Sequence, residues 1–241
     1  MVPRFYVDAP LRAGAMATLP EDSAHHAVRV LRLREGDAVT LFNGRGGEFA
    51  ARIASIQRLR IMADLLEHRA LEREAPLRVT LVQGVSSGER MDFTVRKAVE
   101  LGVAAIQPVL AAASVARPKA ERAAARHEHW QRIAIAACEQ CGRNTIPRVQ
   151  PLVAVAEYRP AGEGARILLS PRSELAFSEA CKQASGSVTM AAGPEAGFTA
   201  AEEAAFAGAG FVPARLGPRV LRTETAAIAA LAALNALKGD F

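Results

Sequence analysis

The 241-residue sequence contains no uninterrupted apolar run of the 18 or so residues that a membrane-spanning helix requires. Its opening, MVPRFYVDAP, lacks both the basic and the apolar segments of a secretion signal. Cysteine is scarce: Cys138, Cys141 and Cys181 are too few for a disulfide scaffold and suit a reducing cytoplasm. Cys138 and Cys141 have the spacing of a redox pair, yet they close a long helix, whereas reactive pairs open one. Buried packing is the better reading for both, and with one further cysteine no zinc site is arranged. His127 and His129, at i and i+2, diverge on a helix and read as a solvated face. Lysine is scarce as well, limited to Lys97, Lys119, Lys182 and Lys238, so arginine carries most of the positive charge behind the +5 net balance. Arginine forks suit phosphates and base edges, although a coding bias toward Arg and Ala explains the same excess. Neither internal repeats nor low-complexity tracts occur beyond the Ala enrichment.

Half of the residues are hydrophobic, ample for a packed core. Residues 1 to about 70 read as short strands (RFYVD, AMATL, DAVTLFNG, EFAARIASI) around one helix in EDSAHHAVRVLRL, the outline of a small β-barrel. Asp22 or Ser23 is the expected cap of that helix, with Ala27, Val30 and Leu31 facing inward. The charged stretch LLEHRALEREAPL shows no strand pattern and marks a boundary, dividing the chain into 1–72 and 73–241. Beyond it LRVTLVQGV is a continuous apolar run, as a strand buried on both faces requires. VAAIQPVL, ARILLS, SVTMAAG and FVPARLG follow, separated by helical segments at Glu89–Leu101, Glu121–Cys141 and Ala200–Ala207. Alternating strands and helices predict an open, mostly parallel α/β sheet, with ligands at the carboxyl ends of its strands.

Three loops fall at such ends: LLSPR (Leu168–Arg172), GPEAGF (Gly193–Phe198) and LGPRVLR (Leu216–Arg222). Each sets Gly or Pro just beyond an apolar run. One such loop is ordinary turn chemistry; three at consecutive strand ends favour a pocket lined by backbone. GPEAGF matches neither phosphate-cradling glycine motif, and a glutamate at its centre repels phosphate. A ligand without a pyrophosphate, such as S-adenosylmethionine, is therefore acceptable where ATP or NAD is not.

MDFTVRKAVELGV (91–103), IAIAACEQCGRNTIP (133–147), LLSPR, GPEAGF and LGPRVLRTETAAIAAL, in this order, resemble the bacterial RsmE family, 16S ribosomal RNA uridine-N3 methyltransferases of the SPOUT superfamily. MVPRFYV and HHAVRVLRLREGD resemble that family's N-terminal segment, so the likeness covers nearly the whole chain. It implies a small PUA-like, RNA-binding β-barrel followed by a SPOUT-type α/β domain with a C-terminal deep trefoil knot, a homodimer, and S-adenosylmethionine held by three knot loops. By matching position, the cofactor residues are Leu169, Ser170 and Pro171; Gly193, Pro194, Glu195 and Gly197; and Leu216, Gly217, Val220 and Leu221. Where the family usually reads GPEGG this chain has Ala196, whose methyl disturbs a left-handed backbone and is harmless at ordinary φ.

The resemblance further implies Arg222 as the cation that stabilises a uridine losing its N3 proton. Glu224 is then the acceptor of that proton or the group that orients Arg222; equally, it is a first-turn acid complementing the helix dipole. Thr223 is the expected helix cap. Arg4, Arg29, Arg32 and Arg45 are candidate phosphate contacts, with Arg143 and Asn144 nearer the base. The partner is 16S rRNA of the small ribosomal subunit, with neither metal nor membrane involved. A related methyltransferase for another RNA, or an RNA-binding module without catalysis, remains open.

Overall fold

The computed structural model describes residues 2–58, 60–114 and 120–241, so Lys119 lies outside the described part. The chain divides into two compact units: Met1–Glu74 with Ile135–Ile146, and Ala75–Ala134 with Pro147–Phe241. The first unit thus takes in a segment from the middle of the sequence, which a single sequential boundary omits.

In the first unit, strands β1 (Arg4–Tyr6), β2 (Met16–Thr18), β3 (Ala38–Phe42), β4 (Glu48–Gln57) and β5 (Arg60–Arg69) form a sheet of order β1-β3-β4-β5-β2. Only β1 and β3 are parallel. The inward residues Phe5, Leu41, Ile53, Ile61 and Leu65 are almost fully buried and form its core with Ala24 and Ala27 of helix α1 (Glu21–Arg29). β5 corrects the sequence reading, which left LLEHR in the boundary. It pairs with β4 out to Arg69, and its last four residues are exposed, so alternation fails where the strand has no covered face. α1 starts after Pro20 without a side-chain cap, and Val30 and Leu31 lie beyond its end, exposed. Neither expected cap is used, and of the three inward residues only Ala27 is buried.

The second unit holds the parallel sheet β12-β10-β11-β6-β7-β8, with β9 also beside β7. Its strands are β6 (Arg78–Gly84), β7 (Ala105–Leu110), β8 (Arg148–Val149), β9 (Val153–Ala154), β10 (Ala165–Leu169), β11 (Ser187–Ala192) and β12 (Val212–Ala214). The helices are α2 (Gly88–Glu100), α3 (Ala120–Cys141), α4 (Phe177–Ala180), α5 (Ala200–Gly208) and α6 (Thr223–Lys238). α3 belongs to this unit up to Ala134 and then enters the first. Leu81, Val82, Met190, Ala191, Ile167 and Leu168 on the three central strands are at most 2% exposed, as expected of strands covered on both faces. Each of the Leu, Val, Ile and Met side chains among them contributes roughly 1.5–3 kcal/mol by leaving water. α5 opens with a capping box: Thr199 Oγ1 accepts from the Glu202 backbone N–H at 3.3 Å, and the Glu202 carboxylate accepts from the Thr199 N–H at 2.9 Å. α2 and α6 pack together, and Asn235 Nδ2 donates to the Leu101 carbonyl oxygen at 2.9 Å. The far end of α6 is thereby tied to the end of α2, which fixes where its first turn falls.

Candidate active site

β12, β10 and β11 are adjacent, so the loops leaving their carboxyl ends are neighbours. Ser170 N–H donates to the Ala214 carbonyl oxygen at 3.0 Å, joining the first loop to the end of β12, just before the third loop begins. Between them lies a cleft of about 360 Å³, open solvent included, lined by Leu169, Ser170, Pro171, Ala214, Leu216, Gly217, Arg219, Val220, Leu221 and Ala226. Of the expected cofactor residues, the structure gathers here all those of the first and third loops. Ala214, Arg219 and Ala226 were not among the expected cofactor residues. Val220 is 83% exposed at this cleft, an apolar side chain left without protein cover. Ser170 Oγ donates to Glu203 Oε1 at 3.3 Å, and Arg172 Nη2 pairs with the same oxygen at 2.8 Å, so the first loop is pinned to α5.

The second loop (Gly193, Pro194, Glu195, Gly197) does not line the cleft; it borders the first turn of α6. Gly193 is tight: a Cβ there would stand 3.0 Å from Gly197 Cα, so the loop would have to give slightly. Gly84, at the end of β6, is the more constrained: a Cβ would run into Pro194 at 2.4 Å. Gly197 takes a left-handed φ of +72°, whereas Ala196 does not, so its methyl group sits at an ordinary backbone angle. Glu195 is already occupied: its Oε1 accepts from Ser87 N–H at 2.9 Å and from Arg90 Nη1 at 3.1 Å. Burial pushes this carboxyl upward, but the Ser87 and Arg90 bonds outweigh it and hold it below its ordinary value.

Thr223 does not cap α6. Arg222 is the N-cap residue, and Thr223 is the first helical one. Its Oγ1 donates to the Gly193 carbonyl oxygen at 2.5 Å and accepts from Gln83 Nε2 at 3.0 Å, joining the second loop, β6 and α6. Arg222 is exposed beside Leu221 of the cleft. Glu224 is turned in: its side chain is 16% exposed, Oε1 lies 4.0 Å from Arg90 Nε, and Oε2 is buried without a partner. Sequence reasoning missed Gln83, Ser86 and Arg90. For Gln83 a signal existed, namely a polar residue inside the apolar run LRVTLVQGV.

Among the six candidate RNA contacts, Arg29, Arg32 and Arg45 are exposed. The other three are turned into the first unit and engaged there. Arg4 is bound through Nη1 to Glu48 Oε2 at 2.6 Å and through Nη2 to Asn144 Oδ1 at 2.7 Å. Arg143 is 3% exposed and paired with Glu74, at 3.0 Å through its Nε. Asn144 is fully buried, its Nδ2 donating to the Leu71 carbonyl oxygen at 2.5 Å. Cys138 is buried as expected while Cys141 is half-buried, and burial pushes the Cys138 thiol up to about 12, far from a reactive thiolate. His127 and His129 diverge, but each has a partner, the Val149 carbonyl oxygen at 2.8 Å and Asp92 Oδ2 at 2.9 Å. Among the described residues no group of three or more His, Cys, Asp or Glu is placed to hold a metal, and no helix is long and apolar enough to cross a membrane.

Residues 73–235 match the family model described as RNA methyltransferase domain, and residues 19–65 match RNA methyltransferase PUA domain. A ribosomal RNA small subunit methyltransferase E of Buchnera aphidicola subsp. Acyrthosiphon pisum is 32% identical over 245 residues, covering 100% of this chain and 95% of that one. The crystal structure of a protein of the same name from Neisseria gonorrhoeae, bound to S-adenosyl methionine, is 41% identical and superposes with a TM-score of 0.92 over 100% of both chains. A Legionella pneumophila protein solved with the cofactor SAM bound is 36% identical, with a TM-score of 0.92 over 98% of each chain. A likeness of this extent in sequence and fold, running through both units and all three loops, places the chain in the family of ribosomal RNA small subunit methyltransferase E.

Proposed function

We propose that this protein transfers the methyl group of S-adenosylmethionine to N3 of a uridine in 16S rRNA of the small ribosomal subunit, in the cytoplasm. The observation that carries the reading is the cleft between the first and third loops, with Arg222 directly following Leu221 of its lining and the half-buried Glu224 in the first turn of α6. The cleft fits the cofactor: apart from Ser170 and Arg219 its lining residues are apolar or glycine, as an adenosine requires. When bound, S-adenosylmethionine supplies an electrophilic methyl group on a positive sulfur.

The chain's own residues then have three tasks. Leu169–Pro171 and Leu216–Leu221, which line the cleft, would hold the cofactor, with the loop at Gly193–Gly197 completing its site. Arg222 faces the pyrimidine oxygens and stabilises the negative charge that develops as the N3 proton leaves. Glu224 accepts that proton; Arg90, shared with Glu195, keeps its carboxylate oriented. Alignment of the nitrogen with the methyl group supplies much of the remaining rate.

In this reading the first unit is a PUA-like RNA-binding module using Arg29, Arg32 and Arg45. The C-terminal run is a trefoil knot, supported by its path: Arg215 bonds to Leu175 and Phe177, and Thr223 then reaches Gly193. The exposed Phe93 on α2 and Leu237 and Phe241 at the end of α6 support a homodimer. Incubation with methyl-labelled S-adenosylmethionine and unmodified small subunits, followed by nucleoside mapping, tests the function. N3-methyluridine in 16S rRNA is expected. Label in another RNA defeats the substrate assignment, and cofactor binding without any transfer defeats the catalytic one.

A further inference from the structure

Of the described residues that line the cleft between the first and third loops, Arg219 alone is charged. It is exposed, and among the described residues it makes no hydrogen bond or ion pair. In the neighbouring loops the charges are paired off: Arg172 of the first lies 2.8 Å from Glu203, and Glu195 of the second accepts from Arg90 at 3.1 Å. The third loop offers Arg219 no such balance. Its segment VPARLGPRVLR (212–222) holds Arg215, Arg219 and Arg222, all exposed, and no acid. The loop also presents Arg219 with little freedom. Gly217 takes a left-handed φ of +78° with nothing within 4 Å of where a Cβ would stand, so glycine serves the backbone angle there, not close packing. Pro218 then fixes the next φ, which limits the conformations lost when Arg219 is held by a partner.

An unbalanced guanidinium at the solvent edge of an apolar cleft fits an anion that arrives from outside. In the reaction proposed above, on which this inference rests, the substrate supplies one. The adenosine of the cofactor is neutral and its methylated sulfur is positive, so neither pairs with arginine. The uridine whose N3 meets the methyl group, in contrast, brings the phosphates on either side of its ribose. We infer that Arg219 anchors the RNA by gripping a backbone phosphate next to the target uridine. A guanidinium fork matches two phosphate oxygens at once, which fixes direction as well as distance. Such a contact sets the register of the strand without reading its sequence. Its place differs from that of Arg222, the N-cap of α6 beside Glu224; Arg219 belongs to the exposed run 217–220. The carboxylate of the cofactor is the competing anion. Paired with Arg219, it would leave that end of the cofactor in solvent beside Val220, which is 83% exposed, so the phosphate is favoured.

Steady-state methylation of small subunits, RNA-binding titrations in salt and calorimetry with S-adenosylhomocysteine test this. The grip is the same in the ground state and the transition state. Arg219→Gln should therefore raise KM for the RNA substrate about tenfold and leave kcat at saturating RNA unchanged. The slope of log K against log salt should fall by roughly 0.7, one single-strand phosphate contact, at constant affinity for S-adenosylhomocysteine. Arg219→Lys, which keeps the charge without the fork, should recover the slope and only part of KM. Arg78→Gln makes the same change of charge at the amino end of β6, away from the loops, and should alter neither quantity. Equal losses in Arg78→Gln and Arg219→Gln overturn the inference, since overall charge alone would then explain them. So does weaker binding of S-adenosylhomocysteine with KM for RNA unchanged, which gives Arg219 to the cofactor's carboxylate. A lower kcat with the slope intact gives it to the base and overturns the inference as well. In each of these cases the methyltransferase reading stands. Wild-type protein that transfers no methyl group to small subunits removes that reading, and this inference with it.

Discussion

The two units differ in how far their buried polar groups are satisfied. In the first, Glu48 is 5% exposed and its Oε2 is held by Arg4 at 2.6 Å and Arg73 at 3.1 Å; Arg4 also reaches Asn144, and Arg143 holds Glu74. The one Arg4 atom without a partner, Nε, belongs to a guanidinium stacked 5.0 Å from the centre of the Phe42 ring. In the second unit, Gln83, Ser86 and Glu224 each present a buried atom to nothing. A saturated network has spent its hydrogen-bonding capacity on the fold. An unsaturated one has capacity left for a ligand. Sequence alone gives Arg4 and Arg29 the same standing as phosphate contacts; the partners they find separate them.

The largest effect expected from this contrast is on stability. Glu48→Ala leaves Arg4 buried without its carboxylate and should destabilise the protein by about 3–5 kcal/mol, read from urea denaturation. Arg222→Ala, at an exposed position outside that network, should leave the unfolding midpoint unchanged. Its effect should fall on chemistry: with cofactor saturated, single-turnover methylation should drop by about 10²–10³-fold. Near-normal turnover would remove Arg222 from the reaction. A large loss of stability would move it to the structural side of the comparison.

Acid should separate two carboxyls of the first unit. At Glu48, burial raises the pKa, but the Arg4 and Arg73 bonds prevail and the folded value lies below the ordinary 4.5. Its contribution is therefore present above pH 4.5 and is lost as pH falls through the folded value. Glu139 runs the other way: burial raises it above its ordinary value, against the Tyr6 backbone N–H it accepts at 2.8 Å. Its neutral form suits the fold, so its contribution is present in acid and is lost as pH rises through the folded value. Glu48→Gln should thus lag wild type at neutral pH and converge with it in acid, while Glu139→Gln should gain on wild type as pH rises. Parallel stability curves across pH 3–8 would mean that neither group is perturbed by its surroundings.

The alternation of strands and helices in the second unit was legible because LRVTLVQGV and ARILLS are continuous apolar runs, a pattern that sheets covered on both faces impose. The three loops were legible for a similar reason, each being Gly or Pro placed directly after such a run. What escaped depends on distance along the chain. Arg143 and Asn144 look like a solvated helix end until Glu74, Leu71 and Arg4 fold over them from about 70 to 140 positions away. No local pattern carries that information. β5 escaped because its last residues are exposed, and Thr223 because its hydroxyl serves Gly193 and Gln83 rather than its own helix. Gln83 sat in plain view, since a polar residue in a strand covered on both faces must find a partner or wait for one.

The smallest effect concerns the arginines that the first unit leaves unspent. Arg29, Arg32 and Arg45 are exposed, whereas Arg4 and Arg143 are engaged within the unit, so a phosphate backbone would meet only the former group. Reversing Arg29 and Arg45 to glutamate should weaken rRNA binding and reduce its salt dependence, the slope of log K against log salt losing roughly 0.7 for each single-strand phosphate contact removed. Cofactor affinity should not change, because neither residue belongs to the unit that holds the cleft. An unaltered slope would place the RNA on another face of this unit, and the distinction between spent and unspent arginines would then hold for stability alone. A flattened slope at constant cofactor affinity would extend it from the fold to the substrate: arginines already paired inside the protein hold its shape, and those left exposed meet the RNA.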